Sequence, residues 1–361
     1  MVEKNRPAYY KPTKKSEVLR ELLQESVTSK RADVLLLSGG IDSSVLAALD
    51  RNVPAYTTSL KGSSEKFDLR FAGKVAKHLK LDWTPVVVTW SEAIENLRPI
   101  MRIRESYDTA ILNDLALYIA INRAMDDLNI RAIRVRSGEP ADMLFRGYVV
   151  TYEKTQDELN FSIDKQNPTE LPLNMLERKT QVSMDYPYLD PKIKKFAKQL
   201  SHSDTVLYRS IPGDVWSTHR DNPERLTAPP YPFGKLVLRQ TMIDILPQEV
   251  SLRSKTDIQF GSGTDALRAI LRGQINPIEI AEFEGEGFRF RNVEHAALYK
   301  IYRQEGLKPK PPIRGKENEC ASCHGGVKQG SMSCDTCGAY PYNIHFDQLR
   351  NLRSTIRHQN K

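Results

Sequence analysis

Leu35-Leu36-Leu37-Ser38-Gly39-Gly40-Ile41-Asp42-Ser43-Ser44 decides how the rest of this chain is read. Residues 34–37 form an apolar run suited to a buried strand, Ser-Gly-Gly turns tightly, and residues 43–49 read as a helix. Backbone N–H groups at a strand-to-helix turn converge on whatever lies above them, and the helix N-terminus adds partial positive charge, a combination suited to phosphate. A carboxylate is a poor choice there unless it carries a cation. Asp42 therefore points to Mg2+-nucleotide chemistry.

The spacing differs from a Walker loop, which needs four residues between its glycines and then Lys followed by Ser or Thr. SGGIDSS instead resembles the loop of the N-type ATP pyrophosphatases, enzymes that cleave ATP between its α and β phosphates. Outward from the loop, Val18, Leu19, Leu22, Leu23 and Val27 recur at helical spacing. Residues 53–59 and 83–89 read as further strands, and Phe71, Val75 and Leu79 beside Ala72 and Ala76 mark an amphipathic helix over roughly 65–79. A helical pattern through Ile111, Leu115, Ile119 and Ala120 precedes a strand over 132–136. Strands alternating with helices imply an α/β fold, a doubly wound parallel sheet with ligands at the carboxyl ends of its strands, and the loop's resemblance implies that the sheet is of the adenine-nucleotide α-hydrolase-like, PP-loop kind.

Residues 151–184 break into polar sequence with Pro and Asn, expected to be a surface excursion or lid. Helical signals resume at 193–200 and 235–246, giving a helical C-terminal part, and Lys308-Pro309-Lys310-Pro311-Pro312 reads as an extended linker. The expected division is a nucleotide domain over 1–306, a linker over 307–317, and a module over 318–361.

At 361 residues and 40% hydrophobic content, the chain can bury an ordinary core. It contains no uninterrupted apolar run of about 18 residues, and its polar start lacks the apolar centre of a secretion signal, so no membrane span and a cytoplasmic location are expected. The net charge of +8 is spread along the chain and suits a polyanion, either ATP itself or RNA gripped by the basic tail at 349–361.

All four cysteines fall between 320 and 337. Cys320-x-x-Cys323, ten residues, then Cys334-x-x-Cys337 has the spacing of a zinc ribbon, in which two turns aim four thiolates at one tetrahedral Zn2+. Gly325-Gly326 and Gly338 supply positive-φ freedom in the turns. An iron–sulfur or redox pair is the next reading, and disulfides are disfavoured without a secretion signal. So small a module needs such a staple to fold, and it could dock a partner or RNA.

Further segments resemble the synthetase domain of the asparagine synthetases, in that family's order, over roughly residues 30–270. Ser63-Ser64-Glu65-Lys66-Phe67-Asp68-Leu69 through Val75-Ala76-Lys77-His78-Leu79 is similar to the helix after its second strand. Glu105-Ser106-Tyr107-Asp108-Thr109 is similar to Glu-Thr-Tyr-Asp. Ser137-Gly138-Glu139-Pro140-Ala141-Asp142-Met143-Leu144-Phe145-Arg146-Gly147-Tyr148 resembles Ser-Gly-Glu-Gly-x-Asp-Glu-Leu-Phe-Gly-Gly-Tyr. Tyr188-Leu189-Asp190 resembles Phe-Leu-Asp, and Lys235-Leu236-Val237-Leu238-Arg239 with Leu246-Pro247 leads into Arg253-Ser254-Lys255 and Gln259-Phe260 much as the family's catalytic domain ends.

The resemblance implies an ATP-dependent amide ligase that adenylates a carboxylate such as aspartate, then transfers it to ammonia or another amine with release of AMP and PPi. Leu37, Ser38, Gly39, Gly40, Asp42, Ser43, Ser44 and Gly138 would bind ATP. Asp42 and Asp142 would hold Mg2+, Lys255 would neutralise the α-phosphate in the transition state, and Glu105 and Glu139 would deprotonate or orient the amine. Cys320, Cys323, Cys334 and Cys337 remain the zinc ligands.

Departures from the pattern bear on the acyl half. Pro140 and Arg146 replace glycines and Met143 replaces a Glu, which removes an acceptor near the acyl substrate and is expected to bring a large cation there. Val2 follows Met1 and no cysteine precedes Cys320, so a glutaminase with an N-terminal Cys is not expected within this chain, and ammonia would arrive free or from a separate glutaminase subunit. The rival reading is a PP-loop RNA-modifying enzyme that adenylates a base, with RNA held by the zinc ribbon and basic tail. A nucleotide-binding scaffold without catalysis is a third.

Overall fold

The computed structural model describes residues 11–62, 67–168, 171, 173–209, 231–253, 255–312, 318–346 and 348. The expected helix start at Glu65, linker residues 313–317 and the basic tail at 349–361 lie outside them. The chain divides into two compact units, Met1–Val88 with Ala116–Gly263, and Thr89–Leu115 with Thr264–Lys361.

The first unit is built on a parallel sheet of five strands: β1 (Val34–Leu36), β2 (Ala55–Leu60), β3 (Trp83–Val88), β4 (Ile133–Arg136) and β5 (Val182–Asp185), in spatial order β3-β2-β1-β4-β5. Every residue of β1 and β2 is buried, as strands covered on both faces require, whereas edge strand β3 buries Val86 and Val88 and exposes Val87. Leu35 is in register with Ala55 on one side and Arg136 on the other. Helices α1 (Lys14–Ser29), α2 (Ile41–Leu49) and α3 (Phe67–Leu79) pack with the sheet through Leu19, Leu23, Val27, Val45, Leu46, Phe71 and Val75. Thr13 starts α1 with a capping box to Ser16. This is a doubly wound α/β fold.

Chain order reverses at β1: β2 and β3 lie to one side, β4 and β5 to the other. Such a switch point opens a crevice at the carboxyl ends of the two strands where the order turns, here β1 and β4. The loops that follow them are Leu37–Gly40 and Ser137–Pro140, which is why two motifs a hundred residues apart share one site.

The stretch 151–184 is not the excursion or lid expected. It contains helices Gln156–Asp164 and Asn174–Lys179 and ends in β5, the fifth strand of the sheet. Thr155 and Glu158 form a capping box, and Leu159 and Ile163, one turn apart, join the core. The strand escaped notice because Val-Ser-Met-Asp is short and buries only its two ends fully. Asp185 earns its burial from Arg136, whose Nε donates to Asp185 Oδ2 (2.7 Å) while Nη1 reaches Asp50 Oδ2 (2.8 Å) and Nη2 the carbonyls of Val27 and Lys30. Strands β6 (Val206–Arg209) and β7 (Tyr231–Gly234) pair antiparallel beside the sheet's own topology.

The second unit contains helices Trp90–Arg104, Leu267–Arg272, Pro277–Gly285 and Val293–Gln304, the first turn of helix Ile111–Asp127, and the cysteine turns. Its centre is aromatic: Tyr107 packs against His295, Tyr299 and Tyr302, Phe283 against Tyr299, and Phe290 against His295. The cysteine segment is part of this unit, because Gly326 N donates to Lys310 O (2.6 Å), Arg289 N to Ser322 O (2.8 Å) and Tyr107 N to Thr336 O (2.8 Å). The compact units thus divide the chain differently from the boundary drawn at 306–318. No helix among the described residues is long and apolar enough to cross a membrane.

Candidate active site

The Ser38–Ser44 loop is shaped by its own side chains. Ser43 Oγ accepts the Ser38 N–H (3.1 Å) and lies 3.2 Å from Ser38 Oγ, which in turn accepts the Gly40 N–H (3.2 Å). Gly39 has φ +67°, and a Cβ there would fall 2.3 Å from Ala72 N and 2.4 Å from Phe71 C, so the loop rests directly on the α3 backbone. Gly40 is the N-cap of α2 and offers no side chain to its amide groups, which leaves that helix start to an outside acceptor. Leu37 is buried, its carbonyl held by the Thr57 hydroxyl at 2.5 Å, and so borders the site with backbone only.

Gly138 brings the second loop against the first: a Cβ there would lie 3.0 Å from Asp42 Cβ and 3.1 Å from Ser43 N. Glu139 follows in the same loop, its N–H directed to Ser137 Oγ (3.3 Å). Asp142, in the short helix Ala141–Leu144, reaches Lys235 Nζ at 2.7 Å and Lys255 Nζ at 2.8 Å. Lys235 Nζ also lies 2.5 Å from Asp42 Oδ2, so one ammonium joins the two carboxylates. Tyr188 Oη fixes the Asp42 backbone carbonyl at 2.9 Å. Gly147 makes room for the cluster, since a Cβ there would sit 2.2 Å from both Asp142 Oδ1 and Lys235 Cε.

Burial raises the Asp42 carboxyl above its ordinary range, only partly opposed by Lys235. At Asp142 burial acts the same way but is outweighed by the Lys235 and Lys255 ammoniums, which hold it well below the usual range. Lys255 is disfavoured as a cation by burial, yet Asp142 and Asp42 push its proton affinity above the normal lysine value. Lys255 therefore stays charged at neutral pH. Asp42 Oδ1 is buried with no hydrogen-bond partner among the described residues, an acceptor suited to a divalent cation.

Arg253 closes the cleft on the loop side. Its guanidinium donates to Ser38 O (2.9 Å) and Asp68 Oδ1 (2.7 Å) and lies 4.6 Å from the centre of the Phe71 ring. Ser38, Gly40, Asp42, Asp68, Lys235, Arg239, Arg253, Lys255 and Thr256 line one cleft. Its cations and exposed amide groups favour a phosphate chain.

Of the residues singled out in the sequence, Ser38, Gly39, Gly40, Asp42, Ser43, Ser44, Gly138, Glu139, Asp142 and Lys255 all fall in the first unit around this cleft. Glu105 belongs to the second unit, where it ends helix Trp90–Arg104 in the left-handed region (φ 52°) and pairs with Lys310. Sequence reasoning missed Lys235, Arg253 and Asp68, each present only inside a longer resembling segment. It also misplaced Arg146. That side chain is 1% exposed and turns inward to the carbonyls of Thr151 (2.5 Å) and Lys154 (2.8 Å), so it is no cation of the acyl site. Met143 packs against the core.

The four cysteine Sγ atoms lie within 4.8 Å of one another and each residue is at most 1% exposed. Cys320–Cys337 and Cys323–Cys334 approach to 3.6 Å. A tetrahedron with metal–sulfur bonds of ~2.3 Å has edges of about 3.8 Å, and a disulfide would need ~2.05 Å, so the arrangement fits a metal ion.

A family model described as asparagine synthase matches residues 18–210, more than half of the chain. The chain belongs to the asparagine synthase family. Asparagine synthetase B (glutamine-hydrolyzing) of Escherichia coli strain K12 is 24% identical over 368 residues, covering 93% of this chain and 60% of that protein. The glutamine-hydrolyzing asparagine synthetases of Gallus gallus and Homo sapiens are each 26% identical, over 63% and 72% of this chain and 39% and 46% of their own lengths. The chain thus spans about half the length of the curated relatives it matches. An NH3-dependent NAD synthetase structure from Campylobacter jejuni matches 46% of this chain and 76% of its own at 18% identity, with a TM-score of 0.25, too distant to bear on the site. The asparagine synthase match takes in Asp42, Glu105, Glu139 and Asp142, while Lys235, Arg253, Lys255 and the cysteines lie beyond its end.

Proposed function

We propose that this chain is an ATP-dependent amide ligase that forms AMP and PPi, joining a carboxylate such as aspartate to ammonia or a small amine. The observation that carries the reading is the meeting of Asp42 and Asp142 on Lys235 and Lys255 above a glycine-rich strand-to-helix loop.

A carboxylate is a poor acyl donor because hydroxide or oxide is a poor leaving group. In the proposed first step its oxygen attacks the α-phosphorus of ATP, the α–β bridging bond breaks, and pyrophosphate departs. The amide groups of the Ser38–Ser44 loop and the start of α2 would cradle the leaving pyrophosphate. Lys255 would lie against the α-phosphate and offset the charge that spreads over its oxygens as phosphorus becomes five-coordinate, and Arg253 would bind the outer phosphates. In the second step the amine attacks the acyl carbon, AMP leaves, and a carboxylate, Glu139 or Glu105, takes the amine's proton.

Asp42, with a buried oxygen that has no partner among the described residues, and Asp142 would hold Mg2+, which when bound neutralises phosphate charge and orients the leaving group. Lys235 serves the same pair of carboxylates with a fixed positive charge. The four cysteines would hold Zn2+ as a structural staple.

The test is a screen of carboxylates with ATP, Mg2+ and ammonium, read as pyrophosphate release. Turnover with aspartate is expected to mark an asparagine-forming enzyme. Turnover only with another acid would change the substrate and keep the mechanism, and ATP cleavage to ADP and orthophosphate would refute it.

A further inference from the structure

The segment Glu105-Ser106-Tyr107-Asp108 is gripped from both ends by the cysteine turns. Thr336, between Cys334 and Cys337, offers its backbone carbonyl to two donors, the Tyr107 N–H at 2.8 Å and the Ser106 hydroxyl at 3.0 Å. Asp108 fits against Gly338: a Cβ there would fall 2.3 Å from Asp108 Cγ, and Gly338 also has φ +73°, so glycine is required both for space and for backbone conformation. Arg291 straps the contact, donating to Gly338 O (2.7 Å) and Thr109 Oγ1 (3.1 Å). At the other end Glu105 pairs with Lys310, whose carbonyl accepts the N–H of Gly326, three residues past Cys323.

A turn of the Cys-x-x-Cys kind takes its shape from two sulfurs converging on one ion, and binding of that ion is itself folding free energy. The direction of the Thr336 carbonyl follows the turn. The Tyr107 side chain is fully buried, its ring 5.0 Å from His295 and 5.2 Å from Tyr302, so the backbone beside it has no water to fall back on if Thr336 moves.

We infer that the four-cysteine metal site is a positioning device for Glu105–Asp108. Occupancy by Zn2+ sets the Cys334–Gly338 turn, and the turn sets the backbone from which Glu105 is presented. The link to catalysis rests on the ligase reading above and on Glu105 serving the amine step; the link between metal and segment does not. Metal loss then raises KM for the amine and leaves adenylation, followed as carboxylate-dependent exchange of labelled pyrophosphate into ATP, unchanged.

The experiment uses the full chain, loaded with Zn2+ or stripped by a chelator, with hydrogen exchange followed on the peptide that carries the Tyr107 amide. Stripping is expected to speed that exchange about tenfold or more, and one equivalent of Zn2+ to restore it. Gly338→Ala keeps all four thiolates and is expected to keep the tetrahedral spectrum of bound Co2+ while exchange at Tyr107 rises about tenfold and KM for ammonium rises about fivefold. Adding Asp108→Ala removes the clashing atoms but not the left-handed φ, and is expected to restore part of the protection. Ser106→Ala, milder and without effect on the turn itself, is expected to speed exchange about threefold. Equal exchange at Tyr107 in loaded and stripped protein overturns the inference whatever the variants do. Absence of pyrophosphate release in every arm counts against the ligase reading and leaves the exchange result standing.

Discussion

Lys235 and Asp42, 193 residues apart in sequence, form an ion pair of 2.5 Å in which the lysine is only 2% exposed. Together with Asp142, 2.7 Å from the same ammonium, this places one buried cation between two partly buried carboxylates. Removing the cation deprives both carboxylates of their shared ammonium and leaves Lys255, 2.8 Å from Asp142, as the neighbouring cation.

Lys235→Met is therefore expected to lower stability by about 3–5 kcal/mol, as loss of one member of a buried ion pair does. Part of that loss should be recovered by Mg2+, which supplies charge to the same carboxylates. Chemical denaturation with and without Mg2+ measures both, and a loss under about 1 kcal/mol would mean that the pair is not the strut described.

Gly39→Ala tests the loop's seat on α3. Left-handed φ costs an alanine about 1–2 kcal/mol, and the added Cβ would meet the Phe71 and Ala72 backbone, which cannot swing aside. Nucleotide affinity, measured by calorimetry, is expected to fall at least about tenfold. Affinity equal to that of the unaltered chain would place the phosphates elsewhere.

Asp114 gives a pH signature independent of the site. Burial lifts its carboxyl from 3.8 to about 6, opposed by Arg104 at 2.5 Å and aided by Asp108. The folded chain holds this proton more tightly than the unfolded chain, so the group's contribution to stability is fully present below about 3.8 and is lost as pH rises through about 6. Stability should fall with pH across that window, and Asp114→Asn should flatten the slope there. An unchanged slope in the variant would remove Asp114 as its origin.

Arg146→Ala leaves the carbonyls of Thr151 and Lys154 without their buried donor. A loss of about 2–4 kcal/mol is expected, with KM for the carboxylate substrate little changed. A large KM effect with little loss of stability would return Arg146 to the acyl site.

Much of the sheet was legible in the sequence because β1 is covered on both faces and reads as a continuous apolar run, because β2 is rich in aromatic and β-branched residues, and because Gly39-Gly40 punctuates the turn after β1. Strand β5 was not, since four residues with two half-buried positions carry no period. Asp42, Asp142 and Lys255 could be singled out through the strings around them. Lys235 could not: a lysine before an apolar helix looks like any surface lysine until the fold shows it 2% exposed. Arg146 misled because its residue type suggested a cation in the site, whereas its backbone, with φ 53°, turns the side chain into the protein. Glu105 and Glu139 share a resemblance by order along the chain, yet they fall in different compact units, a division that no local pattern encodes.

The most direct measurement is product analysis with ATP carrying separate labels on its α and γ phosphates, in the presence of Mg2+, ammonium and aspartate or the best acid from the screen. Equal amounts of AMP and pyrophosphate are predicted, with release falling at least about a hundredfold in Asp42→Ala. ADP with orthophosphate as products, or undiminished pyrophosphate release from Asp42→Ala, would contradict the account.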